Sequence, residues 1–327
     1  MAPSGHQYQW FYNGNEIEGE TAQAIVVTKS GNYEVKILGR DGNSNSRNAT
    51  IVVSAEGVII RIYLLGDSTV SNYNGTTQYP QARWGQVIGK FFDDANIQVI
   101  NKAVGGRSSR SYYEGASAIW PGFKDQIKAG DYAFMQFGHN DGSSNTERYT
   151  SVADYKIYLK KYIDELRVKG AFPVLVTPMI QNYYSANATL QRSLTNYANA
   201  MMEVASTHKV PLIDLNLRSY NLYSTFTREY NTRFIYNTYV AGEYPAPSAF
   251  SAGNINNGKN GDGTHFQIMG AIENARMIIQ GLKDMTLNAS TISALVPNIK
   301  PQYTISVKAN PTDADNVTTR TATYLQV

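Results

Sequence analysis

VIIRIYLLGDST, residues 58–69, decides how the chain is read. Val58 to Leu65 is an apolar run interrupted only by Arg61, as a strand buried on both faces of a sheet requires. It ends in Gly66-Asp67-Ser68-Thr69, so a serine stands at the carboxyl end of the strand, where open α/β sheets bind ligands. Downstream the rhythm repeats. Further strands are expected at Ile97 to Val104, Tyr132 to Phe137, Pro173 to Thr177 and Val210 to Leu215. Helices are expected at Trp84 to Phe92, Tyr112 to Ile127, Val152 to Val168 and Leu190 to His208, with a last one from about Phe266 to Asp284. Strands alternating with helices imply a parallel sheet covered on both faces.

The two ends of the chain read differently. Residues 1–56 suggest short strands: Tyr8 to Tyr12 before an Asn13-Gly14 turn, Ala24 to Val27, Tyr33 to Ile37 and Ala49 to Val53. The polar stretch Gly39 to Asn48 separates the last two. After Pro297 the chain is again extended, at Tyr303 to Val307 and Ala322 to Val327. The expected organisation is a β-sandwich fragment at 1–56, a catalytic α/β domain at 57–296, and at 297–327 the start of a truncated β module. Clipped ends of this kind are expected of a piece of a longer protein.

The bulk numbers exclude some roles. Of 327 residues 17% are charged, and the formal net charge of +3 makes no electrostatic case for nucleic acid. No apolar run approaches a membrane span, and Met1-Ala2-Pro3 leads into polar sequence without signal-peptide features. The absence of cysteine removes disulfides, thiolate nucleophiles and cysteine-based zinc sites.

Two further segments follow other strands, Val104-Gly105-Gly106-Arg107-Ser108 and Gly138-His139-Asn140-Asp141, and a third, Asp262-Gly263-Thr264-His265, immediately precedes the last helix. Taken singly, each has a plain reading as a turn, a loop or a helix cap. In this order and on one rim, they are the parts that acyl transfer through a serine needs. Ser68 is the candidate nucleophile. Of the four histidines, His6 lies in the β-rich start and His208 at a polar helix end. His265 is the better base, because Asp262 three residues earlier can fix its tautomer while Gly263 permits a tight turn. The oxyanion donors are the Ser68 N–H, the Gly106 N–H and the Asn140 side chain, with Gly105 competing for the second place. His139 is expected to orient the loop around Asn140. Trp84, Arg107, Tyr112 and His139 are candidate substrate contacts, the aromatics by stacking on sugar rings.

These residues resemble the SGNH, or GDSL-like, hydrolase superfamily, with Ser68, Gly106, Asn140 and His265 in its four blocks and Asp262 completing the triad. Leu65 to Thr69, Asn101 to Tyr112, Gly130 to Gly142 and Arg83-Trp84-Gly85 are similar to the rhamnogalacturonan acetylesterases of carbohydrate esterase family 12. Trp10 and the run Ser30-Gly31-x-Tyr33-x-Val35 resemble immunoglobulin-like modules of bacterial secreted proteins. The resemblance spans about Gly57 to Thr286; the region Tyr220 to Lys259 has no counterpart and is expected to shape the substrate groove. It implies a three-layer α/β/α flavodoxin-like fold with a five-stranded parallel sheet. It also implies a secreted bacterial serine esterase removing acetyl groups from plant cell-wall polysaccharide, most of all acetylated rhamnogalacturonan. No metal or organic cofactor is expected, and the partner is the acetylated polysaccharide. The rival readings are an acetylxylan or other short-acyl esterase and a non-catalytic carbohydrate-binding protein.

Overall fold

The computed structural model describes residues 7–21, 25, 31–38, 44–51, 59–73, 81–239, 255–256, 259–285, 289–301, 303–307 and 320–324. The first sheet is antiparallel. It comprises β1 (Gln7–Tyr12), β2 (Asn15–Glu16), β3 (Gly31–Leu38) and β4 (Ser44–Ile51) in the order β2-β1-β3-β4. Tyr8, Trp10, Val35 and Ile37 form its small core. Asn13 and Gly14 both take positive φ (49° and 84°), the backbone that a tight two-residue hairpin between β1 and β2 needs. Of the expected strand Ala24 to Val27, all but Ile25 lies outside the described residues. β4 begins inside the polar stretch expected to be a connection, pairing Ser44 with Leu38 and Ile51 with Gly31. An edge strand takes its ladder from one neighbour only, so a polar run serves there.

The main sheet is as expected: α/β, five strands, all parallel. β5 (Ile60–Gly66) is followed by β6 (Gln81–Ala82), α1 (Trp84–Val87), β7 (Ile97–Asn101), α2 (Ser109–Tyr113), β8 (Tyr132–Gln136), α3 (Val152–Val168), β9 (Phe172–Val176), α4 (Thr195–His208) and β10 (Leu212–Ile213). The order β10-β9-β8-β5-β7 places the first strand between the second and the third, so the chain reverses its winding direction at β5. Side chains alternate across the sheet. Ile62 and Leu64 join one buried cluster with Phe134, Val174 and Val176; Tyr63 and Leu65 join the other with Met135 and Leu175.

Beyond β10 lie α5 (Leu215–Tyr223), α6 (Arg228–Tyr230), β11 (Tyr236–Tyr239), β12 (Ile255–Asn256), β13 (Lys259–Gln267), α7 (Ile268–Lys283) and α8 (Ala289–Ile292). β14 (Tyr303–Val307) and β15 (Arg320–Tyr324) pair antiparallel at the end. α7 covers the first cluster with Ala275, Ile278, Ile279 and Leu282. α3 covers the second with Tyr155, Leu159, Tyr162, Ile163 and Leu166, a helical stripe whose start is capped by the Ser151 hydroxyl accepting from Asp154 N–H.

Two expected helices are shorter in the structure. The one at Tyr112 to Ile127 is a five-residue helix, Ser109–Tyr113, followed by short 3₁₀ turns at Trp120–Gly122 and Lys124–Gln126. Gly115 at φ 100° and Pro121 break it. Leu190 to Leu194 is not helical, because that stretch pairs with the chain before it: Gln191 N–H donates to Tyr183 O, and Gln181 N–H to the Ser193 hydroxyl. The Trp84 to Phe92 segment divides into α1 and a 3₁₀ turn at Ile88–Phe91.

Candidate active site

Ser68 stands two residues past β5, on a turn that only glycine can enter. A Cβ on Gly66 would come within 2.6 Å of Val70 Cγ2 and 2.7 Å of Gln136 O. Asp67 then folds the turn closed. Its Oδ1 accepts from the Thr69 N–H (2.8 Å) and the Thr69 hydroxyl (2.7 Å), and its carbonyl accepts from the Val70 and Ser71 N–H groups. The polar chain continues inward: Gln136 Nε2 donates to Thr69 Oγ1 at 2.6 Å, and Trp84 Nε1 donates to Gln136 Oε1 at 2.8 Å. Asp67, Thr69, Gln136 and Trp84 are all fully buried. Burial raises the Asp67 carboxyl's affinity for a proton, but His139, with Nδ1 3.6 Å from Oδ2, and the Thr69 donors outweigh it and hold its pKa below the usual value.

Arg83 joins the two halves of the site. This buried guanidinium donates from Nε to Ser68 O (2.8 Å) and from Nη1 to Ala82 O and Phe266 O (2.7 Å each), and from Nη2 to Gln81 Oε1. One cation therefore holds the backbone of Ser68 and of the residue after His265. β6 supports the same tie, pairing Ala82 with Phe266.

His265 approaches Ser68 from β13. Its Nε2 is 2.8 Å from Ser68 Oγ, and its Nδ1 is 2.7 Å from Asp262 Oδ2. Asp262 Oδ1 accepts from the backbone N–H groups of Thr264 and His265, both at 2.7 Å, which fixes the carboxylate relative to the ring. Burial works against the Asp262 charge, yet these donors lower its pKa to about 2, so it is ionised across the physiological range. Gly263 does not take a positive φ. Its lack of a side chain serves instead a close approach to Asn182, whose N–H donates to Gly263 O at 2.7 Å and whose carbonyl oxygen a Cβ would meet at 3.3 Å.

The other expected segments lie on the same rim. Gly105 turns its Cα toward Ser68, 3.6 Å separating a Cβ built there from Ser68 Cβ, while Gly106 adopts φ 75°. Among the described residues, the N–H groups of Ser68 and Gly106 and the Asn140 side chain have no hydrogen-bond partner. The loops bearing Gly106 and Asn140 are fastened together by Asp141, whose Oδ1 accepts from Ser109 N–H (3.0 Å) and Ser109 Oγ (2.6 Å). Burial, reinforced by nearby Asp67 and opposed by Ser109, raises the Asp141 pKa to about 7.

Three expected substrate contacts are corrected. Trp84 and Tyr112 are fully buried, their polar atoms engaged by Gln136 and by Lys102 O, so neither can stack on a sugar. The His139 side chain is 2% exposed and lies beside Asp67, beneath the loop it was expected to orient. Arg107 is half-buried, and its Nε is enclosed without a partner. Arg83, Gln136 and Asp141 were missed as parts of the site. Arg83 was visible next to Trp84, but nothing in a sequence shows which of two neighbours turns toward a strand end.

Similarity to known proteins agrees with the geometry. The "probable rhamnogalacturonan acetylesterase YesY" of Bacillus subtilis (strain 168) is 38% identical over 228 residues, 69% of this chain and 94% of that protein. The rhamnogalacturonan acetylesterase RhgT of the same organism is 33% identical over 229 residues, 70% of this chain and 91% of that protein. The crystal structure of protein YxiM from Bacillus subtilis shares the fold, with a TM-score of 0.55 at 24% identity, covering 85% of this chain and 74% of that one. Residues 64–237, more than half of the 327, match a family pattern that takes in Ser68, Gly106 and Asn140. On a match of that extent the chain belongs to the GDSL-like Lipase/Acylhydrolase family.

Proposed function

We propose that the protein is a serine esterase that removes acetyl groups from a carbohydrate, with acetylated rhamnogalacturonan as its substrate. The observation that carries the chemistry is the continuous line from Asp262 Oδ2 through His265 to Ser68 Oγ, with gaps of 2.7 and 2.8 Å. In this reading Ser68 Oγ attacks the acetyl carbonyl carbon and gives its proton to His265 Nε2, while ionised Asp262 stabilises the imidazolium. The oxyanion accepts hydrogen bonds from Ser68 N–H, Gly106 N–H and Asn140 Nδ2; removing one such donor costs about 3–4 kcal/mol of barrier in characterised hydrolases. The sugar alcohol leaves with the proton from His265. Water then attacks the acetyl-enzyme, His265 takes its proton, and acetate departs as Ser68 Oγ recovers it.

The substrate rests on the two relatives named for rhamnogalacturonan deacetylation. A polymer substrate implies action outside the cell, since polysaccharides do not cross membranes. Among the described residues, no helix is long and apolar enough to span one. We read the N-terminal antiparallel sheet as an appended immunoglobulin-like module. Acetate release from acetylated rhamnogalacturonan and acetylated xylan, by wild type and Ser68→Ala, tests this reading. Release from the pectic polymer that vanishes in the folded variant is expected. Release from xylan alone overturns the substrate, and full activity in Ser68→Ala overturns the nucleophile.

A further inference from the structure

A second feature of the rim is a cation laid against the oxyanion glycine. A Cβ on Gly106 would meet Arg148 Nη2 at 3.1 Å, Cζ at 3.3 Å and Nη1 at 3.6 Å. Near-equal distances to three atoms of one planar group mean that the guanidinium covers the Cα of Gly106. Gly105, one residue back, faces Ser68. Nucleophile and cation thus flank two consecutive glycines, Ser68 against Gly105 and Arg148 against Gly106.

Arg148 is half-buried, and among the described residues its side chain has no hydrogen bond or ion pair. Its loop is nonetheless firmly held. Arg148 N–H donates to Asn145 O (3.0 Å), Arg110 Nη2 donates to the carbonyls of Thr146 and Glu147, and Thr150 N–H donates to Asp141 O (2.9 Å). Tyr197 fixes the end of the loop by donating to Thr150 O. Arg107, next to Gly106 in the chain, brings a second guanidinium with a buried, unpartnered Nε. A half-buried, unpaired guanidinium on a fastened loop can take a planar anion, because its fork of N–H groups matches a carboxylate with two parallel bonds.

We propose that Arg148 determines specificity by binding the carboxylate of a uronate unit beside the acetylated position, with Arg107 adding charge. The inference rests on reading Ser68 as the esterase nucleophile, and it assigns the acidic-sugar preference to particular side chains. The test compares acetylated oligogalacturonide with acetylated xylo-oligosaccharide as acidic and neutral esters, using wild type, Arg148→Gln and Arg148→Lys. The ratio of kcat/KM for acidic over neutral substrate is expected to fall about tenfold or more in Arg148→Gln. The loss should appear mainly in KM and be partly restored in Arg148→Lys. Added salt should lower the wild-type ratio. An unchanged ratio overturns the proposal, as does an equal loss on both substrates, which assigns Arg148 to the reacting carbonyl or to the fold.

Calorimetric binding separates this proposal from the esterase reading. Deacetylated oligogalacturonide is titrated into Ser68→Ala with and without Arg148→Gln. Affinity that drops with Arg148→Gln supports carboxylate recognition even where no ester is hydrolysed, a result that would sink the esterase reading alone. Affinity that stays level overturns the proposal whatever the turnover.

Discussion

Around Ser68 the polar neighbours Asp67, Thr69, Arg83 and Gln136 are fully excluded from solvent, whereas across the site His265 and Asp262 keep 25% and 36% of their side chains exposed. The serine is aimed by a buried network, and the imidazole by a surface turn in β13. Buried hydrogen-bonded groups are expensive to disturb, because whatever is left behind has lost both its partner and water. An exposed pair can be altered at little cost to folding. Substitutions on the Ser68 side should therefore cost stability first, and those on the His265 side should cost turnover with the fold intact.

The sharpest contrast is expected from Asp262→Asn. The amide can still accept from the two backbone N–H groups, but it no longer stabilises an imidazolium. Loss of the equivalent carboxylate in a serine hydrolase lowers kcat by about 10⁴. A comparable fall is expected, with a loss of stability smaller than that of the buried Arg83 variant below, since Asp262 is partly exposed; an equal or larger loss of stability would erase the contrast. Arg83→Met comes next, since it strips a buried cation from the carbonyls of Ser68, Ala82 and Phe266. Breaking a buried charged network typically costs about 3–5 kcal/mol. Denaturant unfolding should show a loss of that order, and kcat should fall with it because the strand ends that carry Ser68 and His265 lose their common anchor. Full stability in this variant would break the comparison from the other side.

Gln136→Leu should produce a smaller loss, about 1–3 kcal/mol, because Trp84 Nε1 and Thr69 Oγ1 lose their shared partner. Urea unfolding measures it, and a neutral result would remove the relay from the account. The last contrast is a pH slope. Asp141 has a pKa raised to about 7 in the fold, against about 3.9 for an unfolded aspartate. Between about pH 4 and 7 the native state holds more protons than the unfolded one, so stability falls as pH rises through that window. Asp141→Asn, with no proton to lose, should flatten the fall, as unfolding at pH 5 and pH 8 would register. Asp262, lowered to about 2, has the opposite sign. Its contribution is complete above about pH 4 and disappears only as pH drops through its folded value, so the two windows do not overlap.

How far the fold could be read depended on how local the physical signal was. The expected helix Val152 to Val168 matches the structure at both ends, and in the structure its apolar stripe repeats at the helical period with Ser151 as its cap. The helix expected at Tyr112 to Ile127 is longer than the real one, because Gly115 and Pro121 break a segment whose apolar content the core uses without a helix. Trp84 and Tyr112 read as sugar contacts because an aromatic beside a candidate catalytic segment carries no mark of which way it faces. The structure turns both inward, onto Gln136 and Lys102.

By itself, the sequence determined the parallel α/β order, through strand-length apolar runs alternating with helical stripes, and it named the segments that share the rim. Both are local patterns repeated along the chain. Only the tertiary structure decided which buried groups aim the serine and which cation stands beside Gly106. Arg83 reaches Phe266 across 183 positions, and Arg148 covers Gly106 from a different loop. Contacts between such distant residues depend on how the layers pack, which no local pattern encodes.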